Sequence, residues 1–328
     1  MDGTEVTASG AVLVPAVAGP APVMSYHRGT IIPVHWESRA PSYYDLENSQ
    51  SIYENYEMSF LAAGFAAAGY FTVAPDMIGY AASRDREHPY MHAPSLAWVS
   101  RDMLRAARAF AAGEGIPLDG RLFITGWSEG DLDGMALHEL LERDHADEFP
   151  VRGSPLLAGA YALSAGMEWF CTLDEPYPEQ EIYYWKFRSM NRVHGIGRPF
   201  DQIVRPEYAA GLTRDVMARV PANPRDGLDP DFQARMLERT EPEFRRAFED
   251  SDRYDWRPLA PVFLRHGTHD DIVPFFHAQM AYQAMRARGG SVRLYTYLGK
   301  DHYQPVNAYV VRTLADFADL GRSGGGSL

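Results

Sequence analysis

Short β-branched and aromatic runs alternate along the chain with longer stretches in which apolar residues recur every three or four positions. Runs at 11–14, 23–26, 71–74, 122–125, 158–163, 262–265 and 292–297 read as strands. Helical periodicity fills most of the gaps, which predicts βα units on a mainly parallel sheet flanked by helices. In one gap Ser95 can cap a helix whose apolar stripe is Leu96, Val99, Met103, Ala107 and Phe110, with Gly113 closing it. Residues 275–288, stopped by Gly289 and Gly290, and residues 307–320 read as further amphipathic helices. The Ala- and Gly-rich stretch 58–75 reads as a buried helix running into a strand.

Between 166 and 256 the alternation stops. A stretch of that length is too long for a loop in a compact core, and its helix-like pieces at 231–237 and 243–248 indicate a mostly helical cap or lid. The expected organisation is an α/β core at 1–165, the cap at 166–256, the rest of the core at 257–321, and a Gly/Ser tail at 322–328. Trp169, Phe170, Tyr177, Tyr183, Tyr184, Trp185 and Phe187 crowd the first part of the cap. They form either the cap's own core or, in part, an apolar acyl or aryl pocket, to which Trp169 and Phe170 are assigned.

Composition narrows the partners. Of 328 residues 46% are hydrophobic, enough for at least one large core, and the net charge of −13 disfavours nucleic acid and anionic membranes. With Cys171 as its one cysteine the chain has no intrachain disulfide and no CxxC redox or zinc site. The uncharged run 6–26 contains Pro15, Pro20 and Pro22 and follows Asp2 and Glu5, so it reads as neither a membrane span nor a signal peptide. The strand-like start leads us to expect native sequence upstream. Compartment and oligomeric state stay open.

The chemistry concentrates at three strand ends. Gly126-Trp127-Ser128-Glu129-Gly130 follows a strand and precedes a helical run, the context in which GxSxG becomes a nucleophile elbow. Small residues two positions either side let Ser128 occupy a strained turn, while the helix N-terminus and the free N–H of Glu129 favour an oxyanion. A hydroxyl needs a base, and that base a carboxylate. His266-Gly267-Thr268-His269-Asp270-Asp271 follows one later strand and Asp301-His302 the next, in the order Ser, Asp, His. Asp271 is the rival acid, but the spacing to Val273-Pro274 favours Asp270. Asp301, His266 and His269 read as structural, and Glu129 as a solvated or supporting carboxylate.

With the stretches 25–30, 75–80, 88–93, 102–108, 126–130, 135–138 and 266–274, the chain resembles serine α/β-hydrolases of the bacterial esterase/lipase group. These are related to secretory lipases and prolyl-oligopeptidase-like hydrolases, and the resemblance covers nearly the whole chain. It implies the α/β-hydrolase fold, Ser128 as nucleophile, His302 as base, Asp270 as orienting acid, and an oxyanion hole from backbone N–H groups of Glu129 and near Thr30. Two departures stand out. Arg28-Gly29 replaces the usual His-Gly pair, and Asp131, Leu132, Asp133 and Gly134 intervene before Met135. Asp131 and Asp133 are expected close to Ser128, where negative charge would oppose an oxyanion and raise the His302 pKa.

The expected function is carboxylic-ester hydrolysis through an acyl-enzyme, without a cofactor, on a small ester with an apolar acyl or aryl group. A peptidase or amidase with the same triad and a catalytically weak ligand-binding scaffold are the alternatives. Trp127, Met77 and Tyr80 are candidate pocket residues. His88 and His92 have a zinc pair's i,i+4 spacing, but Pro89 opposes a regular helix and no third ligand is evident, so no metal is expected.

Overall fold

The computed structural model describes residues 4–32, 39–45, 47–209 and 220–322; the expected tail lies outside these apart from residue 322. Seven strands form one sheet: β1 (Gly10–Leu13), β2 (Ala21–His27), β3 (Phe71–Pro75), β4 (Leu118–Trp127), β5 (Val151–Leu157), β6 (Val262–Gly267) and β7 (Val292–Tyr297). Their order is β1-β3-β2-β4-β5-β6-β7, with β1 antiparallel to β3 and every other pair parallel. The helices of eight or more residues are α1 (Ala93–Gly113), α2 (Glu129–Asp144), α3 (Leu163–Thr172), α4 (Gln180–Val193), α5 (Pro230–Leu237), α6 (Pro242–Glu249), α7 (Phe276–Ala287) and α8 (Val306–Arg322). Strands β3 and β6 are buried at every position, because helices cover both faces of the sheet. Among the described residues no helix is long and apolar enough to cross a membrane.

Two expectations need correction. The fifth strand is β5, not 158–163, which is a loop entered through Ala158 at φ 63° and ending where α3 begins. Gly153 and Pro155 inside β5 imitate a turn signal. Pro155 donates nothing to the ladder, but its carbonyl accepts from Thr125 Oγ1 at 2.9 Å. The buried face of α1 is also rotated from the expected stripe. It consists of Ala93, Ser95, Leu96, Ala97, Ser100, Leu104, Ala107 and Ala111, while Phe110 is exposed. Small residues let α1 approach its neighbours closely, and Ser100 hydrogen-bonds the Asp133 carboxylate at 3.0 Å, so size and polarity override the hydrophobic count. The helix starts earlier too, with His92 at the N-cap and Ser95 in the first turn.

Between β5 and β6 lie α3 to α6, the helical insertion. Its aromatics do not form a separate core. Phe170, Tyr183, Trp185, Phe187, Phe232, Phe244 and Phe248 belong to one apolar cluster with Tyr90, Ala93, Ala97, Leu132 and Ala136 from α1, α2 and the loop before α1. Trp185 stacks on Tyr90 with centroids 4.0 Å apart at 10°. The insertion is therefore docked on the sheet domain by the same burial that folds it. Cys171 is buried within α3.

Under the centre of the sheet, the buried Tyr309 of α8 ties β4 to β5. Its hydroxyl contacts Thr125 Oγ1, accepts from the Gly126 N–H at 3.1 Å, and lies 2.9 Å from Gly126 O and 3.1 Å from Pro155 O. Tyr309→Phe leaves these buried groups short of a partner, and a loss of about 1–3 kcal/mol is expected in urea unfolding with an unchanged m value.

Candidate active site

Ser128 joins β4 to α2 at φ 61°, ψ −119°, a conformation an L-residue adopts only under constraint. The constraint is contact on both sides. A Cβ on Gly126 would stand 2.2 Å from the Gly130 carbonyl oxygen, and a Cβ on Gly130 would stand 2.2 Å from the His27 carbonyl oxygen. The Ser128 N–H donates to Leu157 O at 2.9 Å, which pins the turn to the end of β5. Glu129 opens α2 directly behind the serine.

Asp270, after β6, accepts at Oδ2 from His302 Nδ1 at 2.8 Å. Its Oδ1 accepts from the N–H groups of Ile272 (3.0 Å) and Val273 (2.8 Å), and His266 Nε2 lies 3.1 Å from Oδ2. Burial alone would raise the Asp270 pKa. The hydrogen bonds and positive charge of His266 and His302 outweigh it and hold this carboxylate well below its ordinary range. Asp271 is exposed, and of the two carboxylates it is Asp270 that meets His302. Asp301 caps its own turn by accepting from Tyr303 N and Gln304 N, and His269 is exposed. His266, read from sequence as loop structure, instead lies against the acid: Nε2 also meets Val273 O at 2.8 Å and so carries the proton.

Ser128 and His302 open on one cleft of 320 Å³ that also includes Gly29, Thr30, Ile32, Arg39, Glu57, Trp127, Glu179, Ile182, Ile272 and Tyr303. The Trp127 ring lies beside His302, with centroids 5.5 Å apart. Of the other expected pocket residues none lines this cleft. Tyr80 is buried with its hydroxyl donating to Ile31 O at 2.7 Å, and Met77 packs in the same small cluster. Phe170 is buried against Tyr183, and Trp169 packs on Tyr177, Tyr183 and Phe276. The apolar area of Phe170 and Trp169 serves the docking of the insertion.

The residue that sequence reasoning missed is Glu57, which opens a short helical segment (Glu57–Ala62) and faces the loop after β2. Its buried carboxylate accepts from Arg28 Nη2 (3.0 Å), Tyr26 OH (2.7 Å) and the Gly29 N–H (2.8 Å). Arg28 Nη1 donates to Arg39 O at 2.6 Å. The replacement of the usual His-Gly pair is thus matched by a buried ion pair that shapes the loop holding Thr30. Gly29's N–H is consumed by Glu57, whereas the N–H groups of Thr30 and Glu129 have no partner among the described residues. No sequence signal links Glu57 to Arg28, because they meet only through the tertiary structure.

A model of the prolyl oligopeptidase family matches residues 227–320. Among solved structures, a Legionella pneumophila protein assigned as a hydrolase is 27% identical, with a TM-score of 0.81 over 98% of this chain and 85% of its own. The rice cell wall degrading esterase LipA of Xanthomonas oryzae gives 21% identity and a TM-score of 0.82, over 95% of this chain and 86% of its own. Candida antarctica lipase A gives 17% and 0.71, over 97% and 74%. No curated protein matches in sequence. The chain has the α/β-hydrolase fold, and its segment 227–320 matches the prolyl oligopeptidase family.

Within that fold the two extra carboxylates of α2 are not where the sequence suggested. Asp133 points away from the cleft, with Oδ2 2.6 Å from His27 Nδ1 and both oxygens bonded by Ser100. Asp131 accepts from Tyr161 OH at 2.7 Å on both oxygens. Neither lines the cleft. Burial pushes the Asp131 carboxyl well above the ordinary carboxylate range, against the hydrogen bonds of Tyr161 and Gly159. It also raises Asp133 against His27 and Ser100. The Glu129 carboxylate is turned to His88, with Oε1 2.7 Å from Nε2, while His88 Nδ1 donates to Ile78 O at 2.7 Å.

A group raised on folding contributes stability that is complete below its unfolded pKa and lost as the pH rises through the folded value. Asp131→Asn, which cannot ionise, should therefore match the parent near pH 4 and become progressively more stable than it toward pH 8 in thermal unfolding. Hydrolytic turnover should change less than about threefold, because the charge is remote from the reacting atoms.

Proposed function

We propose that the chain is a carboxylic-ester hydrolase acting through an acyl-enzyme on Ser128. The observation that carries this reading is a Ser128 turn and an Asp270–His302 pair opening on one cleft. His302 takes the Ser128 proton as Oγ attacks the ester carbonyl carbon. The oxyanion is received by the N–H groups of Glu129 and Thr30, and the alcohol leaves with the proton from His302. His302 then deprotonates water, which attacks the acyl-enzyme and releases the acid and free Ser128. Asp270 orients the imidazole through Nδ1 and stabilises its charged form. Ile32, Trp127, Ile182 and Ile272 favour a small ester with an apolar acyl or aryl group.

The likeness to an esterase and a lipase spans 95% and 97% of the chain, insertion included, which supports ester over amide chemistry. A peptidase reading is favoured by one observation. The prolyl oligopeptidase model covers the segment holding Asp270 and His302. The two are separated by rates on nitrophenyl esters of increasing chain length against a peptide anilide. Ester turnover with negligible anilide cleavage is expected, and comparable anilide cleavage would favour the peptidase.

A fluorophosphonate probe should label the parent and not Ser128→Ala; a folded parent left unlabelled would reduce the cleft to a binding site. Asp270→Asn should lower kcat/KM by at least about 100-fold, since it removes the partner that sets the His302 tautomer. Asp271→Asn should cost less than about threefold. Equal losses would contradict the assignment of the acid.

A further inference from the structure

His92, His194 and Asp250 come together although they are far apart in sequence. Each stands at a helix end: His92 caps the N-terminus of α1, His194 follows the last residue of α4, and Asp250 follows the last residue of α6. One ligand atom from each lies within 4.8 Å of the others. Asp250 Oδ2 is 3.4 Å from His92 Nε2 and 3.9 Å from His194 Nε2, and the two rings meet edge to face at 5.2 Å.

These separations are long for direct hydrogen bonds, which fall at about 2.7–3.2 Å. The Asp250–His92 separation matches an edge of a coordination tetrahedron, and the Asp250–His194 separation is somewhat longer than one. Zinc bonds of about 2.0–2.1 Å place neighbouring ligand atoms about 3.3 Å apart. Ser95 Oγ sits 2.6 Å from His92 Nδ1, so an Nδ1 proton donated to the hydroxyl leaves the Nε2 lone pair facing Asp250 and His194.

From this geometry we infer that His92, His194 and Asp250 form a zinc site that clamps the helical insertion to the sheet domain. Two imidazoles and one carboxylate suit Zn²⁺ over Ca²⁺ or Mg²⁺, which prefer oxygen ligands alone. Asp250 is half exposed, so the fourth position is open to water. His88, the sequence neighbour that completed the expected i,i+4 pair, takes no part, because it is held by Glu129. The site spans the two parts of the fold: His92 belongs to the sheet domain and the other two to the insertion. A metal here fixes the end of α4 opposite to Ile182, which lines the cleft.

The test uses the full chain stripped with a chelator and titrated with ZnCl₂, CaCl₂ or MgCl₂. Calorimetry and metal analysis should show one zinc per chain, with a rise of several degrees in Tm and slower proteolysis of the insertion; calcium and magnesium should do neither. His194→Ala and Asp250→Asn, both at accessible positions, should weaken zinc binding more than about 100-fold and abolish the Tm rise. Ser95→Ala should weaken it about tenfold, as loss of a group orienting a ligand does. The inference fails if zinc does not bind stoichiometrically, or if His194→Ala and Asp250→Asn bind it as the parent does, which would place the ion on other histidines.

Discussion

The backbone around Ser128 has no room for a single additional carbon. Gly130 lies against the carbonyl of His27 at the end of β2, and Gly126 lies against the carbonyl of Gly130, so β2, β4 and α2 meet with hydrogen atoms where side chains would be. That crowding holds Ser128 at φ 61° and lifts it above the sheet edge. The strain, of order 1–3 kcal/mol, persists only because the surroundings over-determine it. Those surroundings include the Leu157 carbonyl that receives the Ser128 N–H and the Tyr309 hydroxyl beneath Gly126. The position of α2, and with it the Glu129 N–H, follows from the same contact.

Around this point the fold buries several carboxylates and gives each a different answer to the cost of desolvation. Glu57 is paired with Arg28 and shapes the loop of Thr30. Asp270 receives four donors and stays ionised. Asp131, with one tyrosine hydroxyl and a backbone donor, is driven toward its neutral form. A buried charge is tolerated only where partners repay its lost hydration, so the charge near the cleft is set by partners more than by the number of acidic residues. The net charge of −13 therefore says little about the field at Ser128.

The helical insertion illustrates the same dependence on context. Its aromatics carry no chemistry in their own sequence, yet their contact with Tyr90, Leu132 and the small residues of α1 makes insertion and sheet domain one apolar body. Trp169 and Phe170, offered from sequence as pocket walls, stabilise that junction instead.

What the sequence determined by itself was local. Strand and helix periods follow from side-chain alternation, the GxSxG turn from the steric needs of its glycines, and the order Ser128, Asp270, His302 from loops that follow strands. It misplaced β5 because Gly153 and Pro155 look like a turn when the carbonyl partners of Pro155 are unseen. It mistook the buried face of α1 because periodicity counts hydrophobicity, whereas close packing selected alanine and serine. Only the tertiary structure set Asp270 against His302, paired Arg28 with Glu57, turned Asp131 and Asp133 from the cleft, and gathered His92, His194 and Asp250. Each of these depends on residues distant in the chain, and the free energy of a buried polar group is set by the neighbours that folding brings to it.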